Sequence, residues 1–221
     1  MEKEKTLGIL GGMGPEATID FMEKVLNFTQ AKKDQDHIRM VVVSDPKTPD
    51  RTNAILRGGE SPVPWLKKNS RILENAGADL IAIPCNTAHY WLEEIRNSVD
   101  IPVLDMVKET AVYLKKRNMK KVGLLSTTAT AKLRLYQKQL DFWEVITPKN
   151  MKEVMNAIKD VKAGRKKEAE KKLHRLHSEL LERGAESVIA GCTEIPLVFP
   201  EGAALIDPTA ILARKVVKII K

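Results

Sequence analysis

Gly77-Ala-Asp-Leu-Ile-Ala-Ile-Pro-Cys85-Asn-Thr87 and Gly184-Ala-Glu-Ser-Val-Ile-Ala-Gly-Cys192-Thr-Glu194 are two copies of one pattern. In each, a helical stretch ends in Gly-Ala-acid, an apolar run of strand length follows, and a cysteine lands eight residues after the glycine. Each copy then leads into a second apolar run that meets an aspartate, Val103-Leu-Asp105 and Leu205-Ile-Asp207. Upstream, Leu7-Gly-Ile-Leu-Gly11 resembles Val122-Gly-Leu-Leu-Ser126. Self-similarity at a separation of about 100 residues points to two related half-units, each delivering one cysteine to the same structural place.

Outward from this repeat, apolar runs alternate with amphipathic stretches. Strands are expected at 6–10, 39–44, 80–84, 102–104, 121–126, 143–146, 187–190 and 204–206, and helices at 16–32, 64–76, 106–118 and 151–183. Most of the strand runs lack polar alternation, as parallel strands covered on both faces do. The alternation predicts an α/β fold of two similar parallel-sheet domains related by internal duplication, with right-handed crossovers and an active-site cleft between the domains. The expected halves are 1–105 and 106–206, with a last helix, 207–221, packing back on the first. Each cysteine is then expected at the C-terminal end of a strand and at the start of a helix, where loops carry the chemistry of open α/β sheets and the helix dipole favours a thiolate.

The chain has 221 residues, 43% of them hydrophobic, enough for two cores of modest size, but only 5% are aromatic. The cores must therefore be built from Ile, Val, Leu, Met and Ala. No run approaches the roughly 20 apolar residues that cross a bilayer, and the charged opening Met1-Glu-Lys-Glu-Lys5 leads straight into a strand, unlike a signal peptide. A cytoplasmic protein without a membrane partner is expected. The formal net charge is +8, but the excess gathers between Lys149 and Arg175, where no aromatics stand ready to stack on bases. A solvated helical face explains it better than a nucleic-acid site. The glycines from Gly8 to Gly14 do not have dinucleotide-loop spacing, and Pro15 suits the first position of a helix. The histidines at 37, 89, 174 and 177 form no ligand set, and two cysteines 107 positions apart form no metal cluster, so no metal is expected.

Two thiols aimed at one carbon can move a proton from one face to the other. One removes it as base and the other returns one as acid, with the roles reversed for the mirror-image substrate. A thiol suits both roles because its two protonation states are accessible near neutrality. Cys85 and Cys192 are the candidates. A lone nucleophilic cysteine would want a histidine; His89 lies near Cys85, but Cys192 has no counterpart. Charge developing on a substrate carboxylate needs donors already in place. Asn86, Thr87 and Thr193 follow the cysteines directly, and Ser126-Thr127-Thr128 ends the equivalent first strand of the second half. A redox dithiol or a ligand-binding pocket shaped by the two thiols remains the alternative of a different class.

With Gly8-Ile-Leu-Gly-Gly-Met-Gly-Pro15, Thr48-Pro-Asp-Arg-Thr52, Pro84-Cys-Asn-Thr-Ala-His89, Val161-Lys-Ala-Gly164 and Ala190-Gly-Cys-Thr-Glu-Ile195, the chain resembles the aspartate/glutamate racemase superfamily over almost its whole length, most closely the archaeal-type aspartate racemases. The resemblance implies a cofactor-independent amino-acid racemase, commonly dimeric, with Cys85 and Cys192 as alternating proton acceptor and donor. It implies a small acidic amino acid as substrate, aspartate first, with glutamate or a broader set as alternatives. Arg51 would take the distal carboxylate, Lys162 would be the second basic residue beside it, and Met13, Asn86, Thr87, Thr127, Thr193 and Glu194 would line the ligand. One departure stands out. Family members carry an aromatic residue, usually Tyr, four positions before this lysine, where this chain has Ile158, and the stretch between Tyr136 and Met151 is shorter than in the family.

Overall fold

The computed structural model describes residues 4–140, 143–199 and 204–221. Its contacts divide the chain into two compact units, Met1–Met106 with Thr209–Lys221, and Val107–Pro208. Each is a parallel sheet covered by helices.

In the first unit β1 (Leu7–Gly11) is central, with β2 (Met40–Ser44) on one side and β3 (Leu80–Ala82) on the other, all parallel. The expected strand at 102–104 is reduced to one parallel bridge, Ile81 with Val103. Pro102 has no N–H to extend the ladder, and α5 (Met106–Lys115) begins three residues after Val103. Alternation along β1 splits its side chains between two faces. Leu7 and Ile9 pack with Phe21 and Val25 of α1 (Pro15–Phe28) and with Leu212, Ala213 and Val216 of α9 (Pro208–Ile220). Leu10 points the other way, into a cluster with Leu66 and Leu73 of α3 (Val63–Asn75) and with Ile81, Ile83 and Cys85. Each fully buried aliphatic side chain contributes about 1.5–3 kcal/mol. A two-sided core is why these strands read as continuous apolar runs.

In the second unit β4 (Lys121–Ser126) is central, flanked by β5 (Glu144–Ile146) and by β6 (Ser187–Gly191), with β7 (Leu205–Ile206) beyond β6. The order β5-β4-β6-β7 repeats the first unit's β2-β1-β3 followed by the Val103 bridge. The sequence repeat is therefore a repeat of topology: in each unit the cysteine follows the third strand in chain order.

The single helix expected over 151–183 is two, α7 (Met151–Lys162) and α8 (Lys166–Glu182). Gly164 adopts φ 78°, its N–H bonds to Val161 O at 2.9 Å, and the Arg165 N–H bonds to Asp160 O at 2.8 Å. This glycine-terminated cap satisfies the last carbonyls of α7 and turns the chain back. Val154, Ile158 and Val161 of α7 and Leu173, Leu176 and Leu180 of α8 then bury together against Leu125 and Val188. The cap also makes Lys162 the final residue of α7, with its side chain 38% exposed.

Candidate active site

Met13, Arg51, Cys85, Asn86 and Thr87 belong to the first unit; Thr127, Lys162, Cys192, Thr193 and Glu194 belong to the second.

In the first unit the β1–α1 turn is fixed by Gly12, whose φ is 84°. A Cβ there would meet the Asp45 backbone nitrogen at 2.2 Å, so only glycine fits. The turn continues through buried Met13 to Pro15 at the start of α1, the helix-opening place expected of it. Next to it stands Arg51, the first residue of α2 (Arg51–Arg57), a helix capped by the Asp50 carboxylate accepting from the Asn53 N–H at 2.6 Å. The Arg51 side chain is only 9% exposed. Its Nη1 donates to the carbonyls of Thr48 and Pro49 at 3.0 and 2.9 Å, and its Nη2 donates to the Met13 carbonyl at 3.2 Å. Three of the five guanidinium N–H donors are thereby used. One at Nη2 and the one at Nε remain, and among the described residues no carboxylate pairs with this buried cation. A buried charge without a counter-charge is costly, and two open donors on neighbouring nitrogens match a carboxylate.

Cys85 lies three residues beyond β3, buried, in the same apolar cluster as Met13. A 3₁₀ turn, Thr87–Trp91, and the five-residue α4 (Leu92–Arg96) follow it, in place of the helix expected there. His89 does not serve the thiol. Its Nε2 accepts from the Met106 backbone N–H at 3.0 Å, which fixes the tautomer with hydrogen on Nδ1, and Nδ1–H donates to the Cys85 carbonyl at 2.9 Å. Both ring nitrogens are committed to backbone, and burial holds the imidazole below its ordinary pKa despite Asp105 nearby. His89 is a neutral strut that ties the Cys85 turn to the start of α5. Because the unfolded chain binds the proton at the ordinary value of 6.5 and the folded one only at lower pH, His89 contributes stability above that value and loses it as pH falls. The urea midpoint is expected to drop between about pH 7 and pH 5, and to drop less in His89→Gln.

In the second unit Cys192 follows β6 directly and is buried among Ala190, Ile195, Val161 and Ile158. No helix begins at it; the next regular turn is 3₁₀, Pro196–Val198. The Cys192 thiol donates to Glu194 Oε2 at 2.9 Å, and Glu194 Oε1 lies 3.4 Å from Lys162 Nζ. Glu194 is itself buried, with its side chain 4% exposed. The thiolate-favouring helix start expected here is replaced by the opposite environment. Burial, and then the Glu194 carboxylate, push the Cys192 thiol well above its usual pKa, with Lys162 opposing them. Cys192 rests as a thiol.

The other expected ligand-lining groups have local roles. Thr127 caps α6 (Thr128–Lys132), its hydroxyl accepting from the Thr130 N–H at 3.1 Å. Asn86, Thr87 and Thr193 are buried beside their cysteines. Ile158, one helical turn before Lys162, is 2% exposed and belongs to the apolar cluster that holds Cys192. The thiol–carboxylate–ammonium chain was not anticipated from the sequence, although Cys-Thr-Glu and Lys-Ala-Gly are both visible there. Among the described residues no group of three or more His, Cys, Asp or Glu side chains could hold a metal ion, and no helix is long and apolar enough to cross a membrane.

Comparison with known proteins places this arrangement. Residues 10–216 match the family described as Asp/Glu/Hydantoin racemase. The broad specificity amino-acid racemase RacX of Bacillus subtilis is 31% identical over 221 residues, covering 96% of both chains. The structure of an aspartate racemase from Picrophilus torridus superposes with a TM-score of 0.91 at 36% identity, covering 98% of this chain and 94% of that one. An aspartate racemase homologue from Pyrococcus horikoshii gives a TM-score of 0.76 at 27% identity, with 99% of each chain covered.

Proposed function

Since the chain belongs to the Asp/Glu/hydantoin racemase family, we propose that it interconverts L- and D-aspartate without a cofactor, with Cys85 and Cys192 as the two bases. The observation that carries the choice of an acidic substrate is Arg51, buried, braced by three carbonyls and, among the described residues, without a carboxylate partner and with two open donors. A planar guanidinium in that state binds a carboxylate in two-pronged fashion and discriminates against a neutral side chain. Lys162, at the exposed end of α7, supplies a second positive charge.

In this scheme one of the two cysteines removes the α-proton and the other returns a proton to the opposite face. The carbanion's charge spreads onto the α-carboxylate, where the backbone and side-chain donors at Asn86, Thr87 and Thr193 meet it. The two cysteines exchange roles for the mirror-image substrate.

A wider substrate range is the second reading. Ile158 puts an aliphatic side chain one turn from Lys162, and the relative from Bacillus subtilis is a broad specificity racemase.

One experiment separates these readings. The purified protein is incubated in D2O, without pyridoxal phosphate, with each enantiomer of aspartate, glutamate and several neutral amino acids. Deuterium is expected at Cα together with the opposite enantiomer, fastest for aspartate. Comparable rates for neutral amino acids would favour the wider range, and no exchange with any acidic amino acid would overturn the proposal.

A further inference from the structure

Glu194 is a buried carboxylate with two different partners. One oxygen accepts the Cys192 thiol proton at 2.9 Å, and the other faces the Lys162 ammonium at 3.4 Å. The thiol belongs to an apolar cluster with Val161, Ile158, Ala190 and Ile195, and the charged groups that act on Cys192 are Glu194 and Lys162. The lysine is the exposed member, 38% accessible against 4% for the glutamate side chain. An incoming anion therefore reaches Lys162 without disturbing the buried pair.

We propose that Glu194 is the proton acceptor for Cys192 and that Lys162 is its gate. While the ammonium pairs with Glu194, it holds the carboxylate ionised and so disfavours transfer of the thiol proton to Oε2, even as it lowers the cost of losing that proton to water. A substrate carboxylate that draws Lys162 away removes that bias. The S–H bond of Cys192 then breaks, an O–H bond forms at Glu194 Oε2, and the negative charge moves to sulfur; no electrons change hands and the pair keeps one proton. Cys192 becomes a base when an anionic substrate is present. In the empty enzyme it stays a thiol. This inference rests on the acidic-substrate reading for the identity of the anion. The link among the three side chains does not, and it can be measured without substrate.

The test is the rate at which iodoacetamide alkylates Cys192 in the free, full-length protein near neutral pH, read by peptide mass spectrometry. Lys162→Met imitates withdrawal of the ammonium and is expected to speed alkylation on the order of five- to tenfold, because the charge that holds the carboxylate ionised from 3.4 Å is gone. Lys162→Arg keeps the charge and is expected to stay near the wild-type rate. In a Glu194→Gln background the sign reverses. With no carboxylate to take the proton, the lysine acts on the thiol directly, and Lys162→Met slows alkylation. Acceleration in both backgrounds would mean that Met only opens access to the sulfur, and would overturn the gate. A rate for Lys162→Met equal to or below wild type would overturn it as well, and this comparison stands even if Glu194→Gln does not fold. Racemase activity is not read in any arm, so failure of the gate and failure of the proposed reaction are distinguishable.

Discussion

Replacing either Cys85 or Cys192 with alanine is expected to lower interconversion of the aspartate enantiomers by about three orders of magnitude or more, the upper range for losing a positioned acid or base. The magnitude follows from the division of labour. A single remaining thiol can take a proton from one face but has no partner to deliver one to the other. The fold is expected to survive. Both cysteines sit at strand ends inside apolar clusters, where an alanine loses little more than the sulfur. Far-ultraviolet circular dichroism and the thermal midpoint therefore serve as controls, and chiral chromatography of the product is the readout. High activity in either variant would rule out the two-base scheme. Residual activity in Cys192→Ala alone would shift attention to Glu194, the carboxylate hydrogen-bonded to that thiol.

Arg51→Met is expected to lower kcat/KM for aspartate by about 10²–10³, the loss typical when one partner of a buried charge-assisted pair is removed. The same side chain braces Thr48, Pro49 and Met13, so the variant also loses stability, and activity alone would be ambiguous. The informative quantity is the ratio of rates on acidic and neutral amino acids in one variant. Damage to the loop lowers both, whereas loss of the carboxylate partner lowers the acidic rate alone. Arg51→Lys is expected to recover part of the stability and little of the discrimination, because an ammonium offers a point charge and not a fork. An unchanged ratio would show that the guanidinium is only a brace.

The architecture was largely legible because the repeat around Cys85 and Cys192 shows itself at three levels: glycine position, strand length and the aspartate after the next strand. Periodicity could not show where α7 ends. Ala163-Gly164-Arg165 sits inside a run of helix formers, and its effect depends on the left-handed φ that Gly164 alone adopts cheaply. The sequence names candidate site residues but not their partners. The helix starts expected to favour thiolates are 3₁₀ turns, and the proton state of Cys192 is set instead by Glu194, two residues on, and by Lys162, thirty residues back. Nothing local in a sequence reports such a distance. His89 makes the same point: next to a cysteine it suggests a base, yet the Met106 N–H already occupies the nitrogen a base would need.

The return of α9 to the first unit has a consequence for the order in which the chain is made. The second unit is contiguous, Val107–Pro208, and its core can close as soon as it leaves the ribosome. The first unit cannot. Leu7, Ile9, Phe21 and Val25 lack their cover until Leu212, Ala213 and Val216 emerge, after the whole second unit has been made. The usual N-terminal-first order of cotranslational folding is thus inverted, and one apolar face of the first sheet stays uncovered while the second unit is synthesised. That interval is when the nascent chain most needs a holding chaperone, and its length is set by the second unit inserted before α9.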